Sequence, residues 1–274
     1  MNLEGKVALV TGSSQGIGQS IVLRLAQAGA DVVINYRSHP EGAEETLAKV
    51  QAFSAERNSE GTGGNCHMAK CLNAQGHTIQ ADLGSVTEVR QLIAESINHF
   101  GKLDVLVNNA GIEKHAPFWD VTEADYDAVL NVNLKGVFFA TQAFVQHLIA
   151  TKRPGKIVNI SSVHEDLPFP NFAAYCVSKG GMKMLTRNLA VELGALGITI
   201  NNVAPGAIET PINTKLLNDS EKLGALLNNI PLGRLGQPQD VASLVAFLAS
   251  ADADYITGST FFVDGGLLWN YQEQ

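Results

Sequence analysis

The span "SSVHEDLPFPNFAAYCVSKGG", residues 161–181, gathers serine, histidine, acid, tyrosine and lysine side chains within one short run. Tyr175 and Lys179 fall one helical turn apart in a segment of helical period, which places their Cβ atoms ~5–6 Å apart on one face. An ammonium beside a phenol favours the phenolate and draws its pKa down from ~10 toward working pH. Tyr175 is therefore a candidate general acid/base. Ser162 follows the apolar run "KIVNI", and a strand there delivers its hydroxyl to the same edge, where it can hydrogen-bond an oxygen that gains charge. Glu165 and Asp166 are expected in solvent, because an acid without a buried partner favours water. Cys176 is expected to pack as a small hydrophobe.

A second constellation lies near the N-terminus. "TGSSQGIG", residues 11–18, joins an apolar strand to a helical segment and spaces Gly12, Gly16 and Gly18 as G-x-x-x-G-x-G. Missing side chains let a backbone turn closely around a pyrophosphate, whose charge the N–H groups at a helix start favour. Ser14, Gln15 and Ile17 belong to the same candidate turn. The next strand ends "INYRS", with Tyr36 where an acid would bind ribose hydroxyls and Arg37 beside it. An Arg there favours a 2′-phosphate, so NADP is preferred over NAD as the expected cofactor, with dual use open. Asp82 and Leu83, after the third strand, are placed near the adenine; an ordinary helix cap by Asp82 is the competing reading.

The elements that must hold these groups are legible as a rhythm. "KVALVTG", "DVVINY", "HTIQAD", "LDVLVNN", "KIVNISS", "ITINNVAPG" and "STFFVDGG" read as strands, alternating with helical segments at about 17–29, 40–57, 86–99, 122–150, 173–196 and 238–250. Apolar strands separated by helices predict an α/β fold: a doubly wound, Rossmann-like, seven-stranded parallel sheet in a single domain over 1–274. Ligands bind such sheets at the C-terminal strand ends. Residues 54–75, polar and rich in glycine, are expected to form a surface insertion. The stretch 205–237, with several Pro and Gly, is expected to be a mobile segment covering the substrate.

Bulk properties narrow the field. The chain has 274 residues, 45% of them apolar, and a formal charge of −8. That charge gives no global basic field, so neither nucleic acid nor an anionic membrane is an expected partner. No signal-like start precedes the first strand, no apolar run reaches the ~18 residues of a membrane span, and three cysteines do not make a disulfide framework. A soluble, cytoplasmic protein is expected. Cys66, His67 and Cys71 in the 54–75 stretch are too few for a structural zinc site, so no metal is expected.

With both constellations in place, the sequence resembles the short-chain dehydrogenase/reductase family along nearly its whole length. The matching pieces are "TGSSQGIG", "NNAG" at 108–111, Asn133 in "NVNLKG", Ser162, "YCVSK" at 175–179 and "PG" at 205–206. The resemblance implies Tyr175 as acid/base, Ser162 orienting the reacting oxygen, and Lys179 holding the nicotinamide ribose while lowering the tyrosine pKa. It implies Asn133 as the fourth member, placing a water for proton relay. It also implies cofactor contacts from Asn109, Ala110 and Gly111, from Pro205, Gly206, Ile208 and Thr210, and from Tyr175 and Lys179 themselves.

Within that family, "NAGIE", "SSVHE", "LPFP", "YCVSKGGMK" and "PGAIETPIN" look like the bacterial glucose 1-dehydrogenases. The likeness implies a homotetramer that oxidises the C1 hydroxyl of β-D-glucose, or a close aldose, to the lactone. A hydroxyl-rich substrate needs several polar partners; Glu113 and His164, with Ser162 and Tyr175, are the first candidates, and Asn202 or Glu209 the next. The alternatives are an NADPH-dependent carbonyl reductase acting on a 3-oxoacyl thioester or a steroid or ketone, and a noncatalytic dinucleotide-binding sensor. Leu267, Leu268, Trp269 and Tyr271 are expected to form an apolar cluster buried against another subunit.

Overall fold

The computed structural model describes residues 1–60, 74–211 and 219–270, the side chains of 54–60 excepted. Seven strands form one parallel sheet: β1 (Val7–Val10), β2 (Asp31–Tyr36), β3 (Gly76–Gln80), β4 (Val105–Asn108), β5 (Gly155–Ile160), β6 (Ile198–Pro205) and β7 (Thr260–Val263). Their order is β3-β2-β1-β4-β5-β6-β7. The chain therefore reverses direction across the sheet between β1 and β4, and a crevice opens there beyond the C-terminal strand ends.

Strand composition explains the burial. Every residue of β1, Val7 to Val10, is 0–1% exposed, as expected for a central strand covered on both faces. Ala8 and Val10 join a core with α1 (Gly16–Gln27) and α2 (Pro40–Glu60), whereas Val7 and Leu9 face the opposite core beside α3 (Val86–Phe100). The order α4 (Glu123–Leu130), α5 (Val137–Thr151), α6 (Ala173–Leu193), α7 (Ser220–Asn229), α8 (Pro238–Ala249) and α9 (Leu267–Asn270) completes the set of α-helices among the described residues.

The single helix read over 122–150 is interrupted. A π-helical turn, Asn131–Gly136, separates α4 from α5 and turns Asn133 into the interior, where it is 0% exposed. Such wide turns commonly serve a site. By length and composition Glu123–Thr151 could cross a bilayer, but Val137, Ala140, Phe144 and Leu148 are buried along it, which is the pattern of a core helix.

Three expectations change. Residues 54–60 continue α2 to Glu60, so this part of the 54–75 stretch is helical; residues 61–73, with Cys66, His67 and Cys71, lie outside the described residues. The 205–237 stretch contains α7, started by the Asp219 carboxylate accepting from the Lys222 backbone N–H at 3.1 Å. Its apolar positions are few and flanked by Gly and Pro, which hid the helical period. At the C-terminus Leu267 is buried inside the subunit while Trp269 is 85% exposed, so these residues do not form one surface cluster; Tyr271 is outside the described residues.

Candidate active site

The glycine turn sits on the crevice. Gly12 has φ +61°, and a Cβ there would stand 2.9 Å from Ala110 Cα; at Gly18 it would stand 2.5 Å from both Asn109 Nδ2 and the Gly12 carbonyl. The turn after β1 and the turn after β4 are thus packed backbone on backbone, which is what brings "TGSSQGIG" and "NNAG" together. Thr11 Oγ1 accepts from the N–H groups of Asn109 and Ala110 at 2.9 and 3.0 Å, and Asn109 Nδ2 donates to the carbonyls of Thr11 and Gly12 at 2.8 and 3.0 Å.

Asn35, absent from the sequence-based candidates, supports the turn from the other side. It is 1% exposed, its Oδ1 accepts from the Gly12 N–H at 2.9 Å, and its Nδ2 donates to Ile79 and Ala81 carbonyls at 3.3 Å each. A lone amide inside the apolar run "VVINY" was the available signal. α1 starts with no side-chain cap and no acid in its first turn, so its N–H groups remain ready for an anion. Glycine cradle, open helix start and topological switch fit a dinucleotide. Thr210 and Pro211 come close to Gly16, and Pro205 and Ile208 are buried behind them. Gly206 abuts Asp264, where a Cβ would stand 2.8 Å from the Asp264 Cβ.

At the outer end of this crevice Arg37 is exposed, and its carbonyl accepts from Gln80 Nε2 at 2.9 Å. Asp82 does not cap α3; Ser85 does, accepting from the Glu88 N–H at 3.4 Å. The Asp82 carboxylate instead accepts from the Gly84 N–H at 2.8 Å, fixing the turn that carries buried Leu83.

The four predicted catalytic residues converge. β5 ends at Ile160 and Ser162 follows, 7% exposed, with its Oγ accepting from the His164 N–H at 3.2 Å. The Ser162 hydroxyl also hydrogen-bonds the Tyr175 phenol, which lowers that phenol's pKa; desolvation is the larger influence and raises it, and the Glu113 charge raises it further. Lys179 is 3% exposed, lies 5.5 Å from the centre of the Tyr175 ring and donates from Nζ to the Ile160 carbonyl at 2.9 Å. Burial pulls its pKa down to about 8, against a raising influence from the Glu165 charge. Asn133 Oδ1 accepts from the Ile112 N–H at 2.9 Å, while its Nδ2 donates to the Ile112 carbonyl and to Ser178 Oγ at 2.9 and 3.2 Å. The arrangement can exchange a proton at Tyr175 while Ser162 holds the oxygen concerned.

On the substrate side, Glu113 reaches the site. Its charge acts on both Tyr175 and His164, and its Oε1 stands 3.1 Å from His115 Nε2. His164 Nδ1 is hydrogen-bonded to the Leu167 carbonyl at 3.0 Å, and its ring lies 6.1 Å from that of Tyr175, beside Phe169 and Phe172. Burial lowers its pKa, which favours neutral imidazole. The fallback candidates do not join them. Asn202 is 0% exposed with its amide committed to Asn159, Thr186, Glu165 and Thr260, and Glu209 is exposed and accepts from Gln237 Nε2 at 2.7 Å. Asp166 pairs with Lys183 on the surface as expected of a solvated acid, but Glu165 is not solvated: its side chain is 0% exposed, with Oε1 3.6 Å from the same Lys183 Nζ. The turn Val163–Glu165 tucks it under α6, a consequence of tertiary packing with no counterpart in local pattern.

Comparison with known proteins gives the same reading. Residues 12–268 match the family described as "Enoyl-(Acyl carrier protein) reductase". The 3beta-hydroxysteroid dehydrogenase 1 of Eggerthella lenta is 41% identical over 97% of this chain and 95% of its own. Glucose 1-dehydrogenase 2 of Bacillus subtilis is 37% identical over 97% and 96%. The crystal structure of a gluconate 5-dehydrogenase from Burkholderia cenocepacia, in complex with NADP and tartrate, matches with a TM-score of 0.81, 38% identity and coverage of 97% and 96%. On the strength of its strand order, its glycine cradle, its Ser–Tyr–Lys–Asn set and these matches, the chain belongs to the short-chain dehydrogenase/reductase family and is an oxidoreductase.

Proposed function

We propose that this oxidoreductase uses NADP, or NAD with lower preference, to oxidise the C1 hydroxyl of β-D-glucose or a close aldose to the lactone. The observation that carries the reading is the His164 ring 6.1 Å from that of Tyr175, with the Glu113 charge acting on both: an imidazole beside the acid/base and a nearby carboxylate can engage several hydroxyl groups of one sugar. The bound nicotinamide would supply the hydride acceptor. Tyr175, as phenolate, takes the proton of the C1 hydroxyl, Ser162 holds that oxygen, and the Lys179 ammonium stabilises the phenolate. Arg37 is at hand for a 2′-phosphate, and the gluconate 5-dehydrogenase relative has NADP bound.

A steroid or other ketone is the second reading, favoured by the aromatic wall of Phe169 and Phe172 and by the 41% identical steroid dehydrogenase. Reduced-cofactor absorbance, followed with aldoses, 3β-hydroxysteroids and a 3-oxoacyl thioester, separates them. Turnover of glucose or a close aldose is expected with the highest kcat/KM; turnover confined to steroids or thioesters contradicts it.

The same proposal includes a cytoplasmic homotetramer. Val177, Met184 and Val191 recur along α6 at 55%, 61% and 84% exposure, and Phe138 and Ile149 are exposed on α5. A stripe of that kind favours burial against another copy.

A further inference from the structure

We propose that Lys183 is a positioning residue of this site: its ammonium clamps Asp166 and Glu165, and with them the turn that begins at Ser162, onto the helix that carries Tyr175. The inference rests on Ser162 and Tyr175 working as a pair, whichever alcohol or ketone they meet.

Lys179, Lys183 and Thr186 follow Tyr175 at helical spacing along α6, which aligns all four on one face. Each of the three grips a different part of the sheet edge. Lys179 Nζ donates to the Ile160 carbonyl at 2.9 Å. Lys183 Nζ donates to both oxygens of Asp166 and lies 3.6 Å from Glu165 Oε1. Thr186 Oγ1 donates to Asn202 Oδ1 at 2.6 Å and accepts from Asn159 Nδ2 at 2.9 Å. The Lys183 side chain is 15% exposed and that of Glu165 0%, so this contact is far drier than an ordinary surface ion pair. Glu165 Oε1 makes no hydrogen bond, which leaves Lys183 as the charge beside it.

The clamp reaches Ser162 because the turn between them is tied by its own hydrogen bonds. The Ser162 carbonyl accepts from the Glu165 N–H at 3.0 Å, the Val163 carbonyl from the N–H groups of Asp166 and Leu167 at 3.1 and 2.8 Å, and Ser162 Oγ from the His164 N–H at 3.2 Å. A displaced carboxylate therefore carries Ser162 with it, and Ser162 hydrogen-bonds the Tyr175 phenol, two helical turns before Lys183. From the sheet side a row of amides holds the same turn. Asn108, Asn159 and Asn202 are register partners on β4, β5 and β6. Asn108 Nδ2 donates to Asn159 Oδ1 at 2.8 Å, Asn159 Nδ2 to Asn202 Oδ1 at 3.3 Å, and Asn202 Nδ2 to Glu165 at 3.3 Å. Buried polar chains of this kind hold a single geometry. Packing α6 onto the sheet would by itself require neither charge, since apolar side chains of similar volume commonly replace a buried ion pair without loss of stability.

The test is the rate of the first turnover, by rapid mixing with NADP and the best substrate of the panel. Lys183→Met is expected to slow it ~10-fold or more, because a reacting group misplaced by ~1 Å can cost ~10²-fold, while KM and NADPH affinity stay within ~2-fold. Lys183→Arg, which keeps the cation, recovers the rate. In Lys183→Met combined with Glu165→Gln no buried charge is left unpaired, so the melting temperature is expected to return toward that of the parent while the rate stays low. A parent-like rate in Lys183→Met, or full recovery of the rate in the double variant, overturns the inference; the second result reduces Lys183 to a counter-ion. If Lys183→Met does not fold, the double variant decides. Amide hydrogen exchange over residues 163–167 needs neither substrate nor cofactor and is expected to quicken in both methionine variants but not in Lys183→Arg. Unchanged exchange also overturns the inference, whereas failure of the acid/base reading is seen separately, as turnover by Tyr175→Phe.

Discussion

Lys179 Nζ lies 5.5 Å from the centre of the Tyr175 ring and is held there by the Ile160 carbonyl at 2.9 Å. The end of β5 at Ile160, two residues before Ser162, therefore fixes the lysine as well as the serine, and the helix turn supplies the tyrosine. Because burial holds the Lys179 pKa near 8, below its value of 10.5 in the unfolded chain, its charged form costs stability fully below pH 8, and the cost fades as pH rises toward 10.5. Lys179→Met is expected to abolish turnover yet stabilise the fold at neutral pH by about 1–2 kcal/mol, the relieved charge burial outweighing one lost hydrogen bond. Urea unfolding at neutral and at alkaline pH checks it; a less stable variant at neutral pH counts against this balance.

Gly18 has no room for a side chain, since its Cβ would meet Asn109 and the Gly12 carbonyl at 2.5 Å. Gly18→Ala is expected to separate the two turns of the cradle, destabilise the fold by ~1–3 kcal/mol and weaken NADPH binding at least ~10-fold. Gly180→Ala, with open space around it on α6, serves as the control and gains up to ~1 kcal/mol of helix propensity. Cofactor fluorescence titration and thermal melting read both.

Arg37 is the charge assigned to the choice between cofactors. Arg37→Glu is expected to weaken NADPH binding ~10-fold or more while leaving NADH within about twofold, because the new charge opposes only the 2′-phosphate. Equal effects on both Kd values would show that Arg37 is an ordinary surface charge.

Glu113 raises the Tyr175 pKa through its negative charge. In Glu113→Gln the phenolate forms more readily, so the acid limb of the oxidative kcat profile is expected to move to lower pH, with KM for the sugar rising. A shift to higher pH contradicts the assigned sign.

How far the sequence carried these residues depends on the range of the interaction. All seven strands and the Ser162–Tyr175–Lys179 set were legible, because strand period, glycine spacing and a one-turn helical offset are local. Asn35 and the Asn108–Asn159–Asn202 row were not, since their partners come from neighbouring strands. Glu165 reads as a solvated acid along the chain and becomes buried only when its turn packs beneath α6. α7 escaped because its helix start depends on one capping contact, Asp219 to Lys222, amid Gly and Pro.

The central claim is that Tyr175 moves the proton. Rapid mixing of Tyr175→Phe with NADP and the best substrate of the panel, beside a fluorescence titration of NADPH, tests it directly. The expected result is loss of reduced-cofactor formation by at least ~10³-fold, with NADPH affinity within a few-fold of the parent. Comparable turnover by the phenylalanine variant contradicts the account.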